Sequence, residues 1–340
     1  MNLLSPSSTL LASTAFTTAY LGSIYLLPSC RVNLAPPQPP IPVPHDIASS
    51  VPAHSAELPR DRNHPSVIKA RLAAVSIAST ASCAFVPFLA LPSVPNSLSS
   101  YRSALSATTK LLGLALPTSA PDALRLVVFP LGLTASLFAG TWYIMWRAGE
   151  LPWQSSWTRV KGGWWQVFES KFEGWKGIRN YVAAPLTEEL TFRSCVIAAS
   201  ALGGYNKKQL VFLTPCWFGL AHVHHAWETY LAGGRTKQAL IRGVLQSTFQ
   251  FVYTTLFGWY ASFLFLRTGS VIPPFLAHSL CNILGLPPLG WALQVWPDKK
   301  LCVFLPSALY GSYLAGIATF SYGLWRWTDP VLFGGSLYWA

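Results

Sequence analysis

The chain has 340 residues, 51% of them hydrophobic and only 11% charged, with 15 Trp and a mean hydropathy of +0.36. Soluble globular proteins carry about 25% charged residues, so this composition excludes a water-soluble globule and makes lipid the main solvent. The net charge of +12 comes from Lys and Arg scattered at the ends of apolar stretches rather than gathered in one stripe, which points to an anionic membrane surface as partner and away from nucleic acid.

In chain order, the first apolar stretch is Thr9 to Leu27. It is long enough to span and has no Lys or Arg before it, so it reads as a first transmembrane helix rather than a signal peptide. Asn33–Pro65 is too rich in proline for helix or sheet and reads as an extended linker. Apolar stretches resume at Val67–Leu91 and Leu124–Trp146, separated by a Ser/Pro-rich connection, Pro92–Asp122. Part of that connection, around Ser106–Leu116, is able to dip into the membrane interface. Arg147–Asn180 sets basic residues among Trp153, Trp157, Trp164, Trp165 and Trp175, a pattern that suits a helix lying in the headgroup region.

Further helices are expected near Val182–Leu202, Lys208–His225, Leu240–Leu266, Val271–Leu284 and Cys302–Trp325. The fold class is therefore all-α and polytopic, with about eight membrane helices. The expected organisation is a first helix (1–32), the linker (33–66), helices two and three with the basic segment (67–180), a helical core (181–326) and a tail (327–340). Lys and Arg concentrate in the loops after the first, third, fifth and seventh helices, placing those loops in the cytosol and both termini opposite. The six cysteines, Cys30, Cys83, Cys195, Cys216, Cys281 and Cys302, form no CxxC pair, so zinc ribbons and redox motifs are absent.

Ionisable residues inside membrane helices cost roughly 2.5–3.5 kcal/mol each and need a reason. Three clusters stand out. In "APLTEELTFRS", Glu189 and Arg193 lie four apart and face each other on one turn, while Glu188 points about 100° away. One carboxylate is thus held by a cation and the other left for proton transfer. The same residues also suit a helix start, with Thr187 as cap. In "CWFGLAHVHHAWE", Phe218 and His222 share a face, and His222 with His225 has metal-ligand spacing. A lone His inside an apolar helix is more often a satisfied core residue. In "VIPPFLAHSLCNILG", His278 and Asn282 lie on one face. There they tie helices together or donate to a developing oxyanion.

Taken in order, these stretches, with the long segment "QSTFQFVYTTLFGWYASFLFLRTGSVIPPFLAHSLCNILGLP", resemble the type II CAAX prenyl endopeptidases. These are the Ras-converting proteases of the endoplasmic reticulum, within the CPBP (abortive-infection) membrane protease superfamily. The resemblance covers Tyr181–Pro287. It implies an eight-helix bundle around an intramembrane catalytic chamber open to the cytosol and the membrane, in the endoplasmic reticulum. By position, Glu188 and His222 would activate water, His278 and Asn282 would form the oxyanion hole, and Glu189, Arg193, Phe218 and His225 would support them. The implied reaction removes the C-terminal tripeptide of farnesylated or geranylgeranylated CAAX proteins such as Ras-like GTPases, with no cofactor and no metal. Competing readings are a zinc-dependent membrane protease using His222, His225, His278 and a Glu, a catalytically silent scaffold, and a transporter with buried proton relays.

Overall fold

The computed structural model describes residues 3–32, 61–90, 98–151, 174–287 and 304–339, together with Gln154, Glu169 and Phe172. Most of the proline-rich linker and most of the basic, Trp-rich segment lie outside the described residues, as does Cys302. The described part is helical, and three helices are long and apolar enough to cross a membrane. These are α2 (Pro65–Ala90), α4 (Ala120–Leu137) and α10 (Lys237–Thr268).

Helix α1 (Pro6–Leu26) starts where the Ser5 hydroxyl accepts from the Ser8 backbone N–H, with Pro6 at the first position. Its sequence is rich in Ser and Thr, yet Thr14, Thr17 and Thr18 each donate to a carbonyl four residues back. Hydroxyls satisfied by their own helix leave few polar groups for lipid to solvate. Leu10 and Leu11 on α1, Ile77, Phe85 and Phe88 on α2, and Val244, Leu245 and Phe249 on α10 stand exposed, as side chains facing hydrocarbon do.

Three expectations change. The connection after α2 contains a helix, α3 (Leu98–Leu111), because no proline falls between Asn96 and Leu116 and Leu112 enters the core. The single stretch Leu124–Trp146 is two helices, α4 and α5 (Ala139–Ala148), broken at Phe138. There the Trp142 indole N–H donates to the Ala135 carbonyl at 3.0 Å. The expected helix Lys208–His225 is three: α7 (Lys207–Phe212), α8 (Pro215–Ala221) and α9 (His224–Ala232). Pro215 cannot donate to a preceding turn, and the Thr214 hydroxyl takes the Leu210 carbonyl at 2.7 Å.

Residues 174–202 form one continuous rod, α6. It passes through Gly174–Ile178, a π-helical turn Arg179–Ala183, Ala184–Glu189, a second π-helical turn Leu190–Cys195, and Val196–Leu202. Helix α11 (Ile272–Leu284) lies beside α4 and α10, and α12 (Phe304–Arg326) beside α4 and α5. One core joins α1, α2, α6 and α8 through Phe16, Val86, Phe192, Cys195 and Phe218. A second joins α6, α7 and α10 to the C-terminal segment through Ile197, Leu210, Phe265 and Tyr338. The tail past α12 is part of the fold: Tyr338 donates to the Leu111 carbonyl, and Arg267 Nε to the Thr328 hydroxyl at 3.3 Å.

Close helix approach rests on small residues. A Cβ built on Gly316 of α12 would stand 2.2 Å from the Ser136 carbonyl oxygen, whereas one on Gly311 meets nothing within 4 Å. Gly316→Ala should therefore destabilise by about 1–3 kcal/mol, lowering the thermal midpoint in detergent. Gly311→Ala, on the same helix, should hold or raise it. Equal midpoints for the two variants would contradict the packing of α12 on α4.

Candidate active site

Helix α6 brings the first cluster into place. Pro185 has no N–H to give, and the wide turn ahead of it absorbs the defect: the Ala184 N–H donates to the Arg179 carbonyl, five residues back. The second wide turn begins directly after Glu189, with the Val196 N–H reaching the Thr191 carbonyl. Helix α2 braces this region, where the buried Ser79 hydroxyl donates to the Thr187 carbonyl at 3.1 Å and contacts the Thr191 hydroxyl at 2.9 Å. From α1, the Tyr20 hydroxyl lies 3.2 Å from that of Thr187.

Glu189 is fully buried. Its Oε2 pairs with Arg193 Nε at 3.0 Å, the i, i+4 contact expected from the sequence. Its Oε1 accepts from His278 Nδ1 at 2.8 Å. The Arg193 guanidinium, equally buried, lies 4.6 Å from the Phe218 ring centre and 5.7 Å from that of Phe257. Aromatic faces are the partners a desolvated guanidinium accepts when carboxylates are few.

Glu188 does not turn away from this network as its 100° offset suggests. Its Oε2 lies 3.6 Å from His278 Nε2, so the two neighbouring glutamates approach opposite nitrogens of one imidazole. A carboxylate only accepts, so Nδ1 of His278 carries the proton shared with Glu189. Nε2 then donates only when the ring is an imidazolium, whose charge Glu188 and Glu189 would balance.

His222 sits at the C-terminal cap of α8 rather than inside a continuous helix. Its Nδ1 donates to the Phe218 carbonyl at 2.7 Å, which leaves Nε2 of the neutral ring as an acceptor. Phe218 packs edge-on against His222, with ring centres 4.7 Å apart. His225 bonds Glu228 at 3.2 Å. Among the described residues, those near enough to share one ion are His224, His225 and Glu228, whose ligand atoms lie within 4.8 Å of one another. His222 and His278 are not in that group.

Asn282 Nδ2 donates to the Asn180 carbonyl at 2.9 Å, which uses one of its two N–H bonds. A cavity of 660 Å³ is lined by Glu188, His222, His225, Phe218, His278 and Asn282, with Asn180, Ala184, Tyr253 and Phe257 among the other walls. A second cavity of 170 Å³ shares Glu188, His222 and His225 and adds Tyr20, Arg71, His224 and Glu228. Glu188 and His222 thus stand where the two meet. Sequence reasoning missed Asn180 and Tyr253. The signal was there in two helical stripes, 180–184–188 on α6 and 250–253–257 on α10, each leading towards the chamber.

Removing the charge of Glu189 leaves a buried guanidinium without its carboxylate, a loss of about 3–5 kcal/mol. Glu189→Gln should therefore lower the thermal midpoint of the purified protein markedly, while Glu188→Gln leaves it near that of the wild type. A Glu189→Gln protein as stable as the wild type would show that the pair carries no structural load.

Residues 171–284 match the family described as type II CAAX prenyl endopeptidase Rce1-like. The chain is 32% identical to a probable CAAX prenyl protease 2 of Schizosaccharomyces pombe, over 82% of this chain and 81% of that protein. It is 35% identical to CAAX prenyl protease 2 of Homo sapiens, over 82% of this chain and 77% of that protein. With CAAX prenyl protease 2 of Arabidopsis thaliana the identity is 32%, over 62% and 66% respectively. No solved structure matches. The likeness reaches well beyond Tyr181–Pro287 and takes in much of the N-terminal third. With its paired glutamates, two histidines and asparagine gathered at one chamber among apolar helices, the chain belongs to the type II CAAX prenyl endopeptidase, Rce1-like, family of membrane proteases.

Proposed function

We propose that this chain removes the C-terminal tripeptide from prenylated CAAX proteins, Ras-like small GTPases among them, at the endoplasmic reticulum membrane, with its chamber open to the cytosol. The observation that carries this reading is the junction of the two cavities, where Glu188 and the acceptor Nε2 of His222 share walls with His278 and Asn282. Cytosolic access is supported by Arg62, Arg71 and Arg179 at the chamber, since basic residues favour that side.

Glu188, with His222, takes a proton from water. The hydroxide oxygen bonds to the carbonyl carbon of the prenylated cysteine, the C–N bond breaks, and the proton passes to the leaving amine. His278 Nε2, donating as the imidazolium, and the second N–H of Asn282 receive the oxyanion. Glu189, paired with Arg193, holds His278 at its Nδ1, and Phe218 carries both the guanidinium and the His222 ring. A prenyl chain gains about 0.8 kcal/mol per buried CH₂-sized unit, which holds the scissile bond at the membrane where such a chamber meets it.

Purified protein in liposomes should release the tripeptide from a farnesylated CAAX peptide and leave the unprenylated peptide intact. Glu188→Gln and His222→Ala should each lower kcat by about 10²- to 10⁴-fold without loss of thermal stability, and a chelator should have no effect. The His224, His225 and Glu228 group favours one rival, a metal-dependent protease. Activity abolished by chelator and restored by zinc would establish it and displace the glutamate mechanism.

A further inference from the structure

The substrate of the proposed reaction ends in a free carboxylate three residues beyond the scissile bond. An extended chain covers at most about 3.6 Å per residue, so that carboxylate comes to rest within about 11 Å of the reacting carbonyl. The 170 Å³ cavity beginning at Glu188 and His222 is also lined by three guanidinium groups, those of Arg62, Arg71 and Arg179.

These three differ in what they already hold. Every donor nitrogen of Arg179 is engaged: Nε with Asn180, Nη1 with the Arg62 carbonyl at 2.8 Å and Nη2 with the Asn63 side chain at 3.1 Å. Arg179 therefore anchors the 61–64 segment to α6. Arg71, from α2, spends its Nε on the Cys30 carbonyl at 2.8 Å. Its Nη2 is shut off from solvent and makes no hydrogen bond, and Glu228 Oε1 stands 3.9 Å away. Glu228 is already shared by the Tyr25 hydroxyl at 3.0 Å and by His225. Arg62 is exposed and lines both cavities.

Resting on the function proposed above, we infer that Arg71, assisted by Arg62, forms the subsite for the substrate's C-terminal carboxylate. A guanidinium nitrogen shut off from solvent and without a hydrogen bond, lining the same cavity as Glu188, is what an incoming carboxylate satisfies. The same guanidinium disfavours a cation at Glu228. The larger cavity, with Phe257 and Leu286 among its walls, is left for the prenylated cysteine, so the peptide crosses the Glu188–His222 junction from lipid to arginine. Recognition of the carboxylate confines cleavage to chain ends.

The test compares a farnesylated CAAX peptide ending in a free acid with the same peptide ending in an amide, using full-length protein in liposomes. The wild type should cleave the acid with a kcat/KM about 10- to 100-fold above that of the amide, the difference lying mainly in KM. In Arg71→Gln the acid-to-amide ratio should collapse towards one. In Arg62→Gln, an exposed position that does not endanger folding, it should fall part of the way, and this variant decides if Arg71→Gln does not fold. Equal cleavage of acid and amide by the wild type, or an arginine variant that slows both by the same factor, would overturn the subsite. If the wild type cleaves neither, displacement of a fluorescent farnesyl peptide separates the two ideas. Tighter binding of the acid keeps the subsite while the proposed activity falls, and equal binding removes the subsite itself.

Discussion

One buried carboxylate sets the terms for the rest of the site. Glu189 has no exposure to solvent, holds Arg193 through one oxygen and His278 through the other, and so joins α6 to α11 deep in an apolar bundle. A charge there is tolerable only with partners. The surroundings read as that partner set: Arg193 supplies the cation, the rings of Phe218 and Phe257 face the guanidinium, and Ser79 secures the Thr187 carbonyl of the adjoining turn. With Glu189 committed to structure, Glu188 reaches the far nitrogen of the same imidazole while still facing the chamber. Two adjacent glutamates thereby differ in their surroundings, and the difference comes from their partners.

The membrane explains the features that would be faults in a water-soluble protein. Leucines and phenylalanines stand exposed on α1, α2 and α10, while serine and threonine hydroxyls fold back on their own helices. The π-helical turns of α6 accommodate Pro185 without leaving a broken helix in hydrocarbon. The C-terminal segment closes over the end of α10, where Arg267 meets Trp325 and Trp339 at 5.2 and 5.1 Å.

What the sequence made legible follows from which interactions are local. The pairing of Glu189 with Arg193 lies within one helical turn and was readable from spacing. The placement of Phe218 against His222, and of His278 with Asn282 on one face, was readable in the same way. The helices at Lys237–Thr268 and Ile272–Leu284 were legible as the apolar stretches Leu240–Leu266 and Val271–Leu284, and in the structure each ends at a glycine of positive φ, Gly269 and Gly285. The approach of Glu188 to His278 was not, because it depends on how α11 docks against a helix with two widened turns. The breaks at Phe138 and around Thr214 were hidden for a similar reason: apolar composition runs straight through them, and the hydrogen bonds that end each helix involve neighbours a turn or more away. Arg71 was counted only as a loop charge; its place beside Glu228 and the chamber is a tertiary fact, since 157 positions separate the two residues.

The most direct measurement is an experimental structure of the protein in lipid, bound to a farnesylated peptide in which a phosphinate replaces the scissile amide. The tetrahedral phosphorus mimics the hydrated carbonyl. The expected result places one phosphinate oxygen within hydrogen-bond distance of His278 Nε2 and Asn282 Nδ2, and the other between Glu188 and His222. A phosphinate seated elsewhere, or one bound through a metal ion on His222 or His225, would contradict the assignment of Glu188 as the base that activates water.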